Sequence, residues 1–492
     1  MSISNRKIIK STSKYFIFPV LIAFVTVLVA CHQEDDIDFE APTVTVDSPA
    51  PGSDVTSLSV LISGTVSDDV VSVDITVDTT TTAATLAGTS YSGAVTLVPG
   101  VNPIRVTATD GVGNRNTQIF NLFYPQLAIT DGAAATFVIG QSDFVSNSAN
   151  QGSTAAANTV SGLLAPLHEY INTTLYLPDS GNNRILGYNS IPAASNASAN
   201  FVLGQGDFTA TASGVSATQF SLPMGVYTTD TQLFLADSAN NRVLIWDSHP
   251  TNNSVAANHV IGQLDFTSSA VGCSSSTLAA PSSVAVINDK VLVLDQGNHR
   301  VLIWNSIPTA DGVAADIVIG QVGVSAMDTC LPNDSDGNGV TDTLSASTFN
   351  NPGAIWTDGT RLLVADTGNN RVLVWDTFPT TNGQAADWVI GQDDMVSAVT
   401  GLNNNSLNAP KSVTSNKNQI IVADSGNSRV LIFNSFPTAN RPVADNVIGQ
   451  PDFGTSTTGT SDTQMTSYDS VFVDRVRLFV VDGNRVLVWV NP

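Results

Sequence analysis

The chain has 492 residues, which is long enough for more than one domain. It carries 19 Lys and Arg residues against 42 Asp and Glu residues, a formal charge of −23. Because phosphate binding needs clustered Lys and Arg, this composition argues against DNA or RNA as a partner.

The first predicted element is a secretory targeting segment. Basic residues precede the apolar run YFIFPVLIAFVTVLVA, and Cys31 follows that run directly. The basic residues are Arg6, Lys7, Lys10 and Lys14. A cationic start, an apolar stretch and small residues at the cleavage point are typical of a signal peptide.

The tetrad LVAC that ends at Cys31 resembles a bacterial lipobox, in which the cysteine is lipid-modified and becomes the mature N-terminus. The resemblance implies that residues 1–31 are a lipoprotein signal peptide and that lipid chains on Cys31 tether a soluble remainder. His32 follows the cysteine instead of an aspartate, which favours the outer membrane or the cell surface. The alternative is a non-cleaved membrane anchor in which Cys31 is incidental.

Residues 41–124 alternate apolar and polar positions over several short runs, such as LSVLISGTVSD and VVSVDITVD. Gly, Pro and Asp separate the runs, which predicts a small antiparallel β-sandwich. The runs, including VTLVPGVNPIRVTATDGVGN, resemble the bacterial immunoglobulin-like domains of secreted and surface proteins. The resemblance implies a stalk that lifts the next domain off the membrane, and carbohydrate binding is the alternative.

Beyond residue 126 the chain repeats itself, and the period can be counted from two landmarks. The aspartates that open each DSGNNR-like run are Asp179, Asp237, Asp295, Asp366, Asp424 and Asp482. Their successive spacings are 58, 58, 71, 58 and 58 residues. The glutamine of each VIGQ-like run lies 26 residues after the aspartate in the first five units.

Each unit contains four strand-like runs, as in GAIWT, RLLVAD, NRVLVWD and DWVIGQ of the fourth unit. Six units of four short strands predict an all-β, six-bladed β-propeller. The recurring VADSGNNRV-like string resembles NHL repeats, which implies the same fold for residues 132–492.

The count also predicts how the ring closes. The sixth unit ends at NRVLVWVNP without a fourth strand, while a spare fourth strand, Ala134–Phe144, precedes the first unit. Pairing of this spare strand with Val486–Val490 would complete the last blade and remove an exposed edge.

The repeated string DTGNNRVLVWD, residues 366–376, is interpreted as structural. Gly and Asn suit a tight turn, Asp366 is expected to cap turn amides, and Arg371 to fold back onto it. The following strand places Leu373 and Trp375 on one face, and both faces are expected to be buried.

The innermost strand of each unit begins just after the proline of an AP-x-x-V string, so the next two residues of each unit are expected to ring the channel mouth. They are Leu167 and His168, Met224 and Gly225, Ser282 and Ser283, Gly353 and Ala354, Lys411 and Ser412, and Asp469 and Ser470. Lys411 and Asp469 are candidate binding residues, since they are charged members on adjacent blades. His168 and Glu169 interrupt the pattern and are weak candidates for acid/base or metal chemistry. The alternative is a local packing variation.

A metal signal lies in the 13-residue excess before the fourth unit, which carries DSDGNGVTD. Asp334, Asp336, Asn338, the Val340 carbonyl and Asp342 have the spacing of a calcium-loop ligand set. The twelfth position is a serine instead of the bidentate glutamate, so we expect weak structural Ca²⁺ binding. The alternative is a solvated turn.

Cys273 and Cys330 are the cysteines that remain after Cys31. They occupy near-equivalent places in neighbouring connections, which predicts a disulfide in an oxidising compartment. Neither has a positioned histidine, so a thiol nucleophile is not expected.

The sequence therefore predicts a lipid-anchored, extracytoplasmic protein whose propeller presents a protein- or glycan-binding face. The alternatives are a lyase or hydrolase acting at the channel mouth and a purely structural envelope component. A deep channel with His168, Glu169, Lys411 and Asp469 converging would favour the enzyme, and a mouth plugged by Leu167 and Met224 would favour binding.

Overall fold

The computed structural model describes residues 40–67, 69–164, 168–170, 174–321, 330–334, 342–474 and 477–491. For residues 168–170 it describes the backbone alone. Regular structure in these ranges consists of β-strands and short 3-10 turns. Within them, no helix is long and apolar enough to cross a membrane. The signal segment and Cys31 lie outside the described residues.

The N-terminal unit is a two-sheet β-sandwich. Its strands are β1 (Ser59–Thr65), β2 (Val70–Val77), β3 (Thr80–Ala83), β4 (Thr85–Ala87), β5 (Ser90–Thr96), β6 (Gly100–Asp110) and β7 (Arg115–Tyr124). One sheet has the order β1-β5-β4 and the other β3-β2-β6-β7. Burial alternates along β1, β5 and β6, so the inward residues such as Ile62, Ile104 and Val106 form one apolar core.

After β8 (Phe137–Ile139), the repeats form six four-stranded antiparallel sheets, numbered 1 to 6 along the chain. Sheets 1 to 3 contain β9 (His168–Tyr170), β10 (Thr174–Asp179), β11 (Arg184–Tyr188) and β12 (Phe201–Leu203); β13 (Pro223–Thr228), β14 (Leu233–Asp237), β15 (Arg242–Trp246) and β16 (His259–Ile261); and β17 (Ser283–Ile287), β18 (Lys290–Asp295), β19 (Arg300–Trp304) and β20 (Ile317–Ile319). Sheets 4 and 5 contain β21 (Ala354–Thr357), β22 (Leu362–Asp366), β23 (Arg371–Trp375) and β24 (Trp388–Ile390); and β25 (Ser412–Ser415), β26 (Ile420–Asp424), β27 (Arg429–Phe433) and β28 (Asn446–Ile448). Sheet 6 contains β29 (Ser470–Val473), β30 (Arg477–Val481), β31 (Val486–Val490) and β8.

The fourth strand of sheet 6 comes from the N-terminal side of the repeats. β8 pairs antiparallel with β31, with Ile139 opposite Val486 and Phe137 opposite Val488. This is the pairing that the strand count predicts, although the strand itself is shorter than the Ala134–Phe144 run.

Consecutive sheets pack face to face and share apolar clusters. Val243 of sheet 2 and Val293 of sheet 3 lie in one such cluster, and the pairs 1–2, 3–4, 4–5 and 5–6 share clusters of the same kind. Sheet 6 shares a cluster with sheet 1, including Phe479 and Leu175. The six sheets therefore follow one another in a closed order of packing, a propeller-type arrangement in which both faces of each sheet are buried.

The fourth strand of each sheet would expose a free edge, and the connection between strands three and four of the next sheet covers it. In sheet 4 the Val389 N–H donates to Asn440 Oδ1 at 3.2 Å, and the Val389 carbonyl accepts the Arg441 N–H at 2.8 Å. The same two bonds are made by Asn253 and Ser254 to Val202, Asp311 and Gly312 to Val260, Asn382 and Gly383 to Val318, Asp131 and Gly132 to Val447, and Ser195 and Asn196 to Val138. All six outer strands are thus protected against edge-to-edge association.

Candidate functional site

The repeated Asp and Arg residues form fully buried ion pairs. In sheet 4, Arg371 Nε donates to Asp366 Oδ2 at 2.7 Å, and neither side chain is exposed. The other pairs are Asp179–Arg184, Asp237–Arg242, Asp295–Arg300, Asp424–Arg429 and Asp482–Arg485. Charged groups removed from water in this way must be matched by partners, and here each pair is surrounded by them.

The aspartate does not cap the amides of its own turn, which corrects the expectation from the sequence. Asp366 Oδ1 accepts the N–H of Asn350, sixteen residues upstream, at 2.7 Å, and Oδ2 accepts Asn369 Nδ2 at 2.8 Å. The turn Thr367–Asn369 is a 3-10 turn that ends with Asn370 at a φ of 54°. The carboxylate points away from that turn because Arg371 and the preceding connection supply stronger, inward-facing donors.

Arg371 ties three segments together. Its Nη1 donates to the Met395 carbonyl at 2.6 Å, and its Nη2 donates to the Ser345 and Thr348 carbonyls at 2.9 Å each. Burial raises the pKa of Asp366, and Arg371 and the amide donors act in the opposite direction. All polar atoms of the repeated motif are therefore engaged in holding the sheet and its connections, so the motif is structural.

The residues predicted to ring the channel mouth do lie against one another on successive sheets. The Gly225 N–H donates to the Ser282 carbonyl at 2.9 Å, and Ser282 Oγ donates to the Gly353 carbonyl at 3.3 Å. A Cβ on Gly353 would collide with the Lys411 carbonyl. Small residues are required at these positions because the innermost strands meet closely.

Ser412 and Ser470 continue these contacts between sheets 5 and 6, since their hydroxyls lie 3.2 Å apart. The mouth pair, Lys411 and Asp469, lies at the same place: Lys411 Nζ donates to Asp469 Oδ1 at 2.6 Å. Asp469 Oδ2 accepts the Ser467 hydroxyl, also at 2.6 Å. The Lys411 side chain is 48% exposed and that of Asp469 is 8% exposed, so the lysine presents a positive charge to solvent.

The other members of the predicted ring are only partly described. The backbone of His168 and Glu169 belongs to β9, opposite Tyr176 and Leu175, but their side chains and all of Leu167 lie outside the described residues. His259, expected in a loop, instead begins β16. The described part of the chain therefore joins Lys411 to Asp469 and leaves the two weak catalytic candidates as predictions.

The calcium-loop prediction falls largely outside the described residues, which include Asp334 and Asp342 but not Asp336, Asn338 or Val340. Asp334 is fully buried, and the Asp342 N–H donates to the Asn333 carbonyl at 2.9 Å. In the described ranges no group of three or more His, Cys, Asp and Glu side chains has the arrangement of a metal site. Ca²⁺ binding therefore stays a prediction.

The predicted disulfide is present. Cys273 and Cys330 are bonded, with a Cα–Cα distance of 6.1 Å. The bond joins the connection that enters sheet 3 to the connection that leaves it, so it brackets that sheet.

A shallow cavity of about 370 Å³ lies on the sandwich. Hydroxyl-bearing residues line it, among them Ser63, Thr85 and Ser92, together with Asp47. Tyr91 borders the cavity, but its hydroxyl donates to the Thr45 carbonyl at 2.7 Å, and burial raises its pKa to about 12. The lining is polar and contains no exposed aromatic platform of the kind that stacks on sugars.

The six edge-covering connections were not anticipated from the sequence. A signal for them exists, because Asn253, Asp311, Asn382 and Asn440 are separated by 58, 71 and 58 residues, the same spacing as the repeated aspartates. Each side chain accepts an amide proton from the preceding sheet. Asn and Asp are common in surface turns for local reasons, which hides this longer-range role.

Comparison with known families matches two parts of the chain. Residues 42–124 match the family described as "Glucodextranase, domain B", and residues 407–433 match the family described as "NHL repeat". These support an immunoglobulin-like domain followed by NHL repeats. No curated protein matches the chain.

Several solved structures are similar in part. A PQQ-bound aldose sugar dehydrogenase from Streptomyces coelicolor is 13% identical, with a TM-score of 0.38, and the match covers 68% of this chain and 96% of that one. A putative oxidoreductase (glucose dehydrogenase) from Thermus thermophilus is 12% identical, with a TM-score of 0.38 and coverages of 67% and 97%. The computationally designed Ika8 protein is 10% identical, with a TM-score of 0.35 and coverages of 69% and 100%. At these scores the similarities support no statement about the chemistry of this chain.

Proposed function

We propose that this chain is a lipid-anchored surface protein in which an immunoglobulin-like stalk carries a six-bladed NHL-type β-propeller. The propeller serves as a rigid platform that binds a protein or a glycan. Six four-stranded sheets that share apolar clusters in closed order support the blade count. The NHL match within sheet 5 supports the repeat type.

The anchor in this proposal is Cys31 in the bacterial outer membrane or at the cell surface. The support is the lipobox-like tetrad and the cationic, apolar segment before it. The Cys273–Cys330 disulfide fits an oxidising, extracytoplasmic compartment.

The single observation that carries a binding role is the mouth pair. The repeated residues are consumed in buried bonds, whereas Lys411 remains half exposed where the innermost strands of sheets 4, 5 and 6 begin. In a chain of charge −23, an exposed cation on a rigid strand end is suited to a ligand that carries an anionic group. The ligand class that follows is an acidic glycan or an acidic protein surface.

The test is capture by the purified full-length protein, on a glycan array and from an envelope extract, compared with Lys411→Ala. We expect retained ligands to bind wild type at least tenfold better than the variant, about 1.4 kcal/mol. Equal binding of all ligands by both proteins would rule out the mouth pair as the binding site.

Calcium enters the proposal as a stabiliser of the connection before sheet 4. Binding at Asp334 and Asp342 should raise the melting temperature of wild type in millimolar Ca²⁺ and have no such effect on Asp342→Asn. If Ca²⁺ changes neither the melting temperature nor ligand capture in wild type, the calcium site is to be dropped.

A further inference from the structure

The connection between the sandwich and the sheets has the composition of a packed segment. Tyr124 ends β7, and the next residues are Pro-Gln-Leu-Ala-Ile, ending at Ile129. Flexible linkers are rich in Gly and Ser, and this segment contains neither. Residues 126–129 are called the strap below.

Gln419 binds the strap as a neighbouring strand would. Its Oε1 accepts the Leu127 N–H at 2.6 Å, and its Nε2 donates to the Leu127 carbonyl at 3.1 Å. The glutamine is fully buried and held by Asn416 Nδ2 at 3.0 Å and Asn434 Oδ1 at 2.7 Å. A buried amide with both ends satisfied by one residue's backbone fixes that residue in position.

Asn491 binds the strap from sheet 6 in the same manner. Its Oδ1 accepts the Ala128 N–H at 2.7 Å, and its Nδ2 donates to the Gln126 carbonyl at 2.8 Å. The side chains of Leu127 and Ile129 are 3% and 8% exposed and belong to the apolar cluster between sheets 5 and 6. Four hydrogen bonds and two buried side chains therefore hold a four-residue segment.

The strap lies at the end of the sheets opposite the mouth pair. Lys411 immediately precedes β25, whereas Gln419 follows β25 and immediately precedes β26. Asn491 immediately follows β31, which begins next to the Asp482–Arg485 turn on the mouth side. Both attachment points are thus one strand length from the mouth, about 15 Å at 3.3 Å per residue.

We infer that the strap holds the sandwich and the six sheets in one fixed orientation, with the mouth pair on the side that faces away from the sandwich. The orientation itself depends only on the contacts above. Its biological meaning depends on the proposed function, because a lipid anchor N-terminal to the sandwich then places the mouth toward the surroundings and away from the membrane. A ligand would reach Lys411 without crossing the space occupied by the stalk.

Hydrogen–deuterium exchange of the full-length protein tests the strap. We expect the Leu127 and Ala128 amides to be protected at least 100-fold in wild type, and Gln419→Ala to lower the protection of Leu127 at least tenfold. Gln232→Ala is the matched control, because Gln232 also immediately precedes the second strand of its sheet but contacts Asp247 instead of the strap. Wild-type strap amides that exchange as fast as an unstructured peptide would overturn the inference.

Distances between spin labels test the orientation. Labels at Val112→Cys on the sandwich and at either Thr360→Cys or Val396→Cys on the ring are introduced into the chain with Cys31→Ser, so that only the introduced thiols react. Thr360 lies between the first and second strands of sheet 4, on the strap side, and Val396 lies in the connection after sheet 4, on the mouth side. We expect narrow distributions and a shorter distance to Thr360 than to Val396. Broad distributions or the reverse order would refute the orientation, and because no ligand is present, this outcome is separate from failure of the binding proposal.

Discussion

Replacing Arg371 with alanine tests whether the repeated motif is structural, and the structure sets the size of the effect. The substitution leaves the fully buried Asp366 carboxylate without its cation and removes the donors of three carbonyl groups. Breaking a buried ion pair by deleting one partner costs about 3–5 kcal/mol, because the remaining charge is uncompensated. We expect a loss of that size in the free energy of unfolding, a large share of the stability of an ordinary domain.

The assay is urea unfolding followed by tryptophan fluorescence. It reports on the repeats alone, since the chain's six tryptophans lie at residues 246, 304, 356, 375, 388 and 489. Arg441→Ala is the control: its ion-pair partner Asp393 is 75% exposed, so the expected loss is below about 1 kcal/mol. The double variant Asp366→Leu/Arg371→Met should recover part of the loss, because it leaves no buried charge. Equal losses for Arg371→Ala and Arg441→Ala would refute the reasoning.

Three further predictions concern the joints between sheets. His299 Nδ1 accepts the Asn351 N–H at 2.8 Å, and burial lowers the histidine pKa below its ordinary 6.5, so stability present above that pH should fall as pH drops below it. His299→Asn, the residue found at three equivalent joints, should weaken this pH dependence; urea midpoints at pH 5 and 7.5 that shift equally in both proteins would contradict it. Cys273→Ser with Cys330→Ser should cost about 2–4 kcal/mol, since the bond closes a separation of 57 residues; an unchanged urea midpoint would count against this. Val138→Asp should cost about 3 kcal/mol or more and expose the edge of β31, which light scattering would detect as association; a stable monomer would argue against closure by β8.

The parts of the fold that follow from counting were predictable from the sequence. The sixth repeat lacks one strand and the N-terminal side has one to spare, so the pairing of β8 with β31 follows from the number of strand-like runs. Lys411 and Asp469 occupy equivalent positions in neighbouring repeats, so their proximity also follows from the period. In both cases a repeat architecture converts sequence position into spatial position.

Contacts that differ between repeats, or that join distant backbones, were not predictable in this way. Gln419 and Gln232 occupy the same place in their repeats, yet Gln419 is buried against the strap and Gln232 contacts Asp247 at the surface. Nothing in their local sequences distinguishes the two roles. The partner of Asp366 Oδ1 was missed because local turn chemistry suggested a nearer amide, while the folded chain offers one sixteen residues away.

The most direct measurement of the central claim compares two lysines of sheet 5 that differ in which end of the sheet they occupy. Lys411 and Lys417 are both exposed, but Lys411 lies at the mouth and Lys417 lies six residues on, at the strap end of β25. For a ligand identified by capture, isothermal titration should give Lys411→Ala a Kd at least tenfold weaker than wild type and Lys417→Ala a Kd within twofold of it. Equal Kd values for wild type and Lys411→Ala, or a larger loss for Lys417→Ala, would contradict the assignment of binding to the mouth face.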